Sequence, residues 1–274
     1  MAPKDRTVQK MDAKTGDGCR LRVVVEGAAS LPPILFINSI GLDHTMWDRQ
    51  AEMLANRFRI IRYDSRGHGK SDVTGGEYTI EGLGLDALAV LESVGAEKAS
   101  IVGSSIGGMT AIWLAATYPE RVDRLVLANT TAHIGRPEMW AGRIAEIREG
   151  GMEAVAKATA ARWLSDAFKT EQPQAAARLV EQLQRMPPDG FCGMCAVLRD
   201  VDLRDHLARI SAPTLVIGAG GGGPESSASA RLAAAIADTH FVEVPQEGHL
   251  SNLESPDAFN GALSSFLRAD TFQE

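Results

Sequence analysis

Residues 99–116 constrain this chain more than any other stretch. An apolar run of strand character, Ala99-Ser100-Ile101-Val102, leads into Gly103-Ser104-Ser105-Ile106-Gly107, which has the form G-x-S-x-G. A small, apolar run of helical length, Gly108 to Ala116, follows with no proline until Pro119. Strand, tight turn and helix in that order put Ser105 at the apex of a nucleophile elbow, where the backbone is strained and the flanking residues must be small. Gly103, Gly107 and Gly108 meet that need. The helix that starts there directs its free N–H groups at the serine, which favours negative charge developing beside it.

Further strand-like runs recur along the chain. They are Leu21 to Val25, Ile34 to Asn38, Phe58 to Tyr63, Arg124 to Ala128, Thr214 to Ile217 and His240 to Val244. Continuous apolar runs such as Leu215-Val216-Ile217 suit strands covered on both faces. Helical patterns lie between them, for example Ile80 to Val94 and Ser229 to Ala237. Strand alternating with helix predicts an α/β fold with a mostly parallel, doubly wound sheet. The alternation lapses between about Thr131 and Ile210, where Glu138 to Arg148, Met152 to Trp163 and Gln174 to Arg185 read as helices and Pro187-Pro188-Asp189-Gly190 reads as a turn. The expected organisation is therefore a core of residues 1–130 and 211–274, with a helical cap, 131–210, inserted before the last two strands. Such a cap would cover the carboxyl ends of the strands, where open α/β sheets bind ligands.

Charge and termini narrow the partners. The 274 residues carry a net charge of −7, against the basic face that nucleic acid requires. The N-terminal Met1-Ala2-Pro3-Lys4-Asp5-Arg6 has no apolar run after its charges, so it does not read as a secretory signal. The longest apolar region, Ile101 to Tyr118, is broken by glycines and reads as buried strand and helix rather than a membrane span. Three cysteines, an odd number, fit a reducing compartment, and together these features predict a cytoplasmic protein acting on a small molecule. No metal or cofactor is expected. Gly218 to Gly223 matches G-x-G-x-x-G, but too little chain follows it for a second nucleotide-binding half. The Cys192-x-x-Cys195 pair has only Cys19 for company, so a four-thiolate zinc site is impossible. The oligomeric state is left open.

A serine hydroxyl needs a base to take its proton. Of six histidines, His249 is placed for it, in a loop just past the last strand and before the final helix, at the same sheet edge as Ser105. An orienting carboxylate is expected in the loop after Thr214-Leu215-Val216-Ile217, which reads Gly218-Ala219-Gly220-Gly221-Gly222-Gly223-Pro224-Glu225. Glu225 is the nearest acid. The alternatives are no acid at all, or the carboxamide of Asn129 at the end of the preceding strand. Two backbone donors should receive an oxyanion, the N–H after the nucleophile, Ile106, and one from the loop Asn38-Ser39-Ile40-Gly41, for which Ile40 is the choice. Trp140 and Arg143 lie three apart on one helix and share a face, so they could give an apolar wall and a clamp for a carboxylate.

Several segments also carry a resemblance. They are Phe36 to Asp43 with Met46-Trp47-Asp48, Arg62-Tyr63-Asp64-Ser65-Arg66-Gly67-His68-Gly69-Lys70-Ser71, and Tyr78 to Glu81. Gly103 to Met109, Leu127 to Gly135, Leu198 to Arg204 and Gly248-His249 complete the set. In these the chain resembles the α/β-hydrolase superfamily along nearly its whole length, and within it is most similar to 3-oxoadipate enol-lactonases. The resemblance carries a nucleophile onto Ser105 and a base onto His249. It does not carry the acid, because glycine, Gly222, stands in that place. It implies opening of a small, anionic enol-lactone in aromatic-compound breakdown. Three other classes compete: another carboxylic-ester, C–O or C–C hydrolase of this fold, a cofactor-free enzyme using His249 as base without acylation, and a binding protein that has lost catalysis.

Overall fold

The structure is a computed structural model that describes residues 8–220, 224–245 and 248–268, with only the backbone of Pro224 and Glu225. One eight-stranded sheet forms its centre. In chain order the strands are β1 (Val8–Lys14), β2 (Arg20–Glu26), β3 (Pro33–Ile37), β4 (Arg59–Tyr63), β5 (Ala99–Ser104), β6 (Val122–Ala128), β7 (Thr214–Ala219) and β8 (Thr239–Val244). Across the sheet they run β1-β2-β4-β3-β5-β6-β7-β8. The first two pairings are antiparallel, and every pairing from β4 onward is parallel. All six residues of β5 and of β7 are buried, as covering on both faces demands.

Helices α1 (Asp48–Leu54), α2 (Ile80–Ser93), α3 (Ile106–Thr117), α4 (Pro137–Trp163), α5 (Asp166–Glu171), α6 (Pro173–Gln184), α7 (Pro188–Asp200), α8 (Pro224–Ala234), α9 (Ser251–Glu254) and α10 (Pro256–Leu267) surround it. Helix α3 is apolar on every side because every side is covered: Ile106 through Ala116 are all buried. Its approach to α2 is close enough that a Cβ on Gly84 would lie 2.0 Å from the Trp113 ring. No helix among the described residues is long and apolar enough to cross a membrane.

The strand order sets the place of the site. From β3 the chain moves to β4 on one side and then to β5 on the other, so the loops after β3 and β5 diverge from a common crevice. That switch point is where open α/β sheets hold ligands.

Helices α4 to α7 lie between β6 and β7, where the sequence predicts helices and no strand. The two helices expected at 138–148 and 152–163 form one element broken at Gly151, whose φ of +67° and ψ of −173° interrupt the spiral. The Pro187–Gly190 turn is also a helix start: Pro188 occupies the first turn of α7, where a missing N–H costs nothing. Strand β1, which the sequence reading did not include, is mostly exposed and lacks the apolar run that marked the others.

Candidate active site

Ser105 caps α3 with φ +55° and ψ −120°, a left-handed conformation rare for a residue with a side chain. Such strain, on the order of 1–3 kcal/mol, persists only where the surroundings enforce it. The Ser105 N–H donates to the Ala128 carbonyl (3.0 Å), and its own carbonyl accepts from Thr130 Oγ1 (2.7 Å) and the Met109 N–H (3.1 Å). The glycines are there for want of room. A Cβ on Gly103 would lie 2.2 Å from the Gly107 carbonyl oxygen, and one on Gly107 would lie 2.4 Å from that of Ile37. On Gly108 it would meet Thr130 Cγ2 at 2.6 Å. The N–H groups of the first turn, Ile106 among them, have no carbonyl within the helix to bond.

The loop after β3 abuts this turn, since a Cβ on Gly107 would lie 2.4 and 2.7 Å from the carbonyl oxygens of Ile37 and Asn38. Asn38 Nδ2 donates to the Tyr63 carbonyl (2.7 Å). The Gly41 N–H donates to His68 Nε2 (2.8 Å), while His68 Nδ1 donates to the Arg66 carbonyl (3.0 Å). These two bonds require a neutral ring protonated on Nδ1, and burial enforces it by pushing the His68 pKa down to about 4. The imidazole in R-G-H-G therefore shapes the backbone that carries Ile40, which is itself buried. The sequence reading quotes that histidine only as part of a motif.

His249 follows β8 at the same edge. Its N–H donates to the Trp163 carbonyl (2.7 Å), and its ring lies 6.0 Å from the Trp163 ring. Gly248 packs so tightly on the Glu254 carboxylate that a Cβ there would overlap it. That carboxylate, nearly buried, accepts from the Ser165 N–H (3.2 Å) and Oγ (2.5 Å). Downstream, Ser251 Oγ donates to Asn129 Oδ1. Asn129 adjoins Ala128, the acceptor of the Ser105 N–H, so continuous bonds link the His249 loop to the elbow.

Trp163, at the end of α4, was not singled out from the sequence. With Leu183 and Phe191 it packs over Gly41, whose added Cβ would meet the three at 3.4, 2.6 and 3.1 Å. Nothing local in the sequence marks it, because its partners lie far along the chain.

Of the other expected residues, Glu225 falls in the first turn of α8, and both its side chain and Gly222 lie outside the described residues. Trp140 is half-buried, with its Nε1 buried and without a partner among the described atoms. The Arg143 side chain is 13% exposed and pairs with Glu146 at 3.3 Å. Arg162 lies near enough that, after burial, Arg143 is the next cause lowering its pKa. His133 donates from Nδ1 to the Val201 carbonyl (3.0 Å), which engages the ring at the base of the helical segment.

The remaining clusters have ordinary explanations. Cys192 and Cys195 are free and buried, and burial pushes Cys195 up to about 12, so they pack rather than react. Asp43, His44 and Asp64 converge, but Asp64 already accepts from the His44 N–H, His44 Nδ1 and the Lys70 N–H, while Asp43 caps Thr45. A cleft of about 410 Å³ runs between α6 and the segment after Gly41, lined in part by Leu42, Leu164, Phe168, Arg178 and Leu253. Neither Ser105 nor His249 lines it.

Known proteins resemble this chain along nearly its whole length. The family model described as "alpha/beta hydrolase fold" matches residues 32–256. 3-Oxoadipate enol-lactonase 2 of Acinetobacter baylyi is 34% identical over 94% of this chain and 96% of its own. The RutD protein of Caulobacter sp. (strain K31), whose name proposes a carbamate hydrolase, is 29% identical over 95% of this chain and 99% of its own. The crystal structure of the enol-lactonase from Burkholderia xenovorans LB400 superimposes with a TM-score of 0.89 at 34% identity, covering 94% of this chain and 99% of that one. With the family model matched over residues 32–256 and these relatives aligned along nearly their whole length, the chain belongs to the alpha/beta hydrolase family.

Proposed function

We propose that the protein is a serine hydrolase that opens a small carboxylated enol-lactone. The observation that carries this reading is the left-handed backbone of Ser105, held by the Ala128, Thr130 and Met109 bonds, because such strain is kept where a hydroxyl must be presented. The similarity to enol-lactonases over nearly the full length of both chains supports the substrate class.

In the proposed reaction Ser105 Oγ attacks the ring carbonyl while His249 takes its proton. The N–H groups of Ile40 and Ile106 receive the oxyanion. As the ring opens, His249 returns the proton to the leaving enol oxygen, then activates water to release the acyl group from Ser105. Glu225, at the start of α8, is the carboxylate proposed to orient His249, and an enol is a good enough leaving group to lessen dependence on it. Trp140 and Arg143 of the helical cap bind the ring and the substrate carboxylate.

The test is the Ser105→Ala variant assayed on a panel of anionic lactones, neutral esters and carbamates, with fluorophosphonate labelling beside it. Loss of about 10⁴-fold or more in kcat/KM and of labelling is expected. Persistence of turnover in Ser105→Ala would point instead to His249 acting as a base without acylation. A preference for carbamates, as the RutD relative's name suggests, would keep the mechanism and replace the substrate.

A further inference from the structure

Asn129 shares with Ser105 a distinction held by no other non-glycine among the described residues, a positive φ, here +47°. It stands immediately after β6, is buried, and its N–H donates to the Ile217 carbonyl within β7 (2.9 Å). Three contacts radiate from this one turn. Ala128, before it, accepts the Ser105 N–H. Thr130, after it, donates to the Ser105 carbonyl. Its own Oδ1 accepts from Ser251 Oγ, two residues beyond His249. Glycine would adopt that φ without cost, so the carboxamide is present despite the backbone and not because of it. Its Nδ2 is buried with no partner among the described atoms, a further cost that calls for a reason.

We propose that Asn129 is a positioning residue that sets the spacing between nucleophile and base. It grips the loop of His249 through Ser251 while its two chain neighbours grip the turn of Ser105. The role differs from that of an orienting acid. An amide N–H donated to Nδ1 would favour the tautomer with its proton on Nε2, which cannot accept from serine. The useful atom is Oδ1, and Ser251 holds it. The proposal rests on Ser105 and His249 acting as a pair.

The experiment compares Asn129→Gly, Ser251→Ala and the double variant. Asn129→Gly removes the acceptor while relieving the backbone, and Ser251→Ala removes the donor and leaves Asn129 in place. Each is expected to lower kcat about 5- to 20-fold with KM little changed, as for one lost buried hydrogen bond acting on the transition state. Because both delete the same bond, the double variant should be no slower than the worse single one. Asn129→Gly should melt no lower than about 2 °C below the parent, since the strain relieved offsets the bond lost. Multiplying effects in the double variant, or parental kcat in either single one, would overturn the proposal. Ser105→Ala in the same assay separates the two failures. If it stays active, the paired mechanism itself is wrong, whereas an inactive Ser105→Ala beside fully active Asn129→Gly and Ser251→Ala removes only the role of Asn129.

Discussion

The elbow and helix α4 are built on different principles. Around Ser105 the constraints are mostly backbone against backbone: a Cβ on Gly103 or Gly107 would lie 2.2 or 2.4 Å from a carbonyl oxygen, and the strain is held by two main-chain bonds and one from the Thr130 hydroxyl. In α4, by contrast, Gly142 and Gly151 have nothing within 4 Å of an added Cβ, and the contact it makes on Gly41 is through the Trp163 side chain, beside Leu183 of α6 and Phe191 of α7. The difference teaches where change is tolerated. At the elbow a substitution must be accommodated by the backbone itself. At Gly142 of α4 the surroundings leave room for one.

Four substitutions sharpen or break this contrast. The largest effect belongs to Gly107→Ala, whose methyl would press on the Ile37 carbonyl, a backbone atom with nowhere to go. A loss of about 3 kcal/mol or more is expected, seen as a drop in Tm of about 10 °C. A variant that melts with the parent would mean that the loop after β3 yields, and the contrast would fail. Next comes His68. Its folded pKa, pushed down to about 4, lies below the unfolded value near 6.5, so the unfolded chain binds the extra proton first. Stability is complete above about pH 6.5 and falls as pH drops toward 4, by about 3 kcal/mol from this ring. Denaturant melts across that window should show the slope, and His68→Gln should flatten it. An unchanged slope would remove His68 as its source. The loss attributable to Asp64, whose pKa is lowered chiefly by its bonds to His44 against the cost of burial, comes at still lower pH.

Arg143→Met tests the helical side. We expect KM for anionic lactones to rise about tenfold with kcat nearly unchanged, and neutral esters to be unaffected. Equal effects on both substrate classes would mean that Arg143 serves packing alone. The smallest effect is Gly142→Ala, which should stabilise α4 by up to about 1 kcal/mol without touching kcat. If it instead slowed turnover, the helix would be as tightly specified as the elbow.

Much of this was readable from the sequence because it is written locally. The buried strands β3 to β7 announce themselves as apolar runs, and G-x-S-x-G between strand and helix locates Ser105. Strand β1 escaped because an exposed edge strand keeps polar residues on most positions. Helix α7 was hidden by Pro187-Pro188, which mark a turn as readily as a first helical turn. The supports of the site were illegible for a different reason. The Ser165 bond to Glu254 spans 89 residues and the Ser251 bond to Asn129 spans 122, and no spacing rule reaches so far. Trp163 is one more tryptophan until the fold brings its carbonyl to His249.

One of those long contacts has an engineering consequence. The stretch 163–165 covers Gly41 with the Trp163 ring and, through the Trp163 carbonyl and the Ser165 hydroxyl, holds the His249 N–H and the Glu254 carboxylate. Swapping the flanking helices for those of another protein would therefore move the His249 segment as well, unless the graft keeps a carbonyl and a hydroxyl in the same two places.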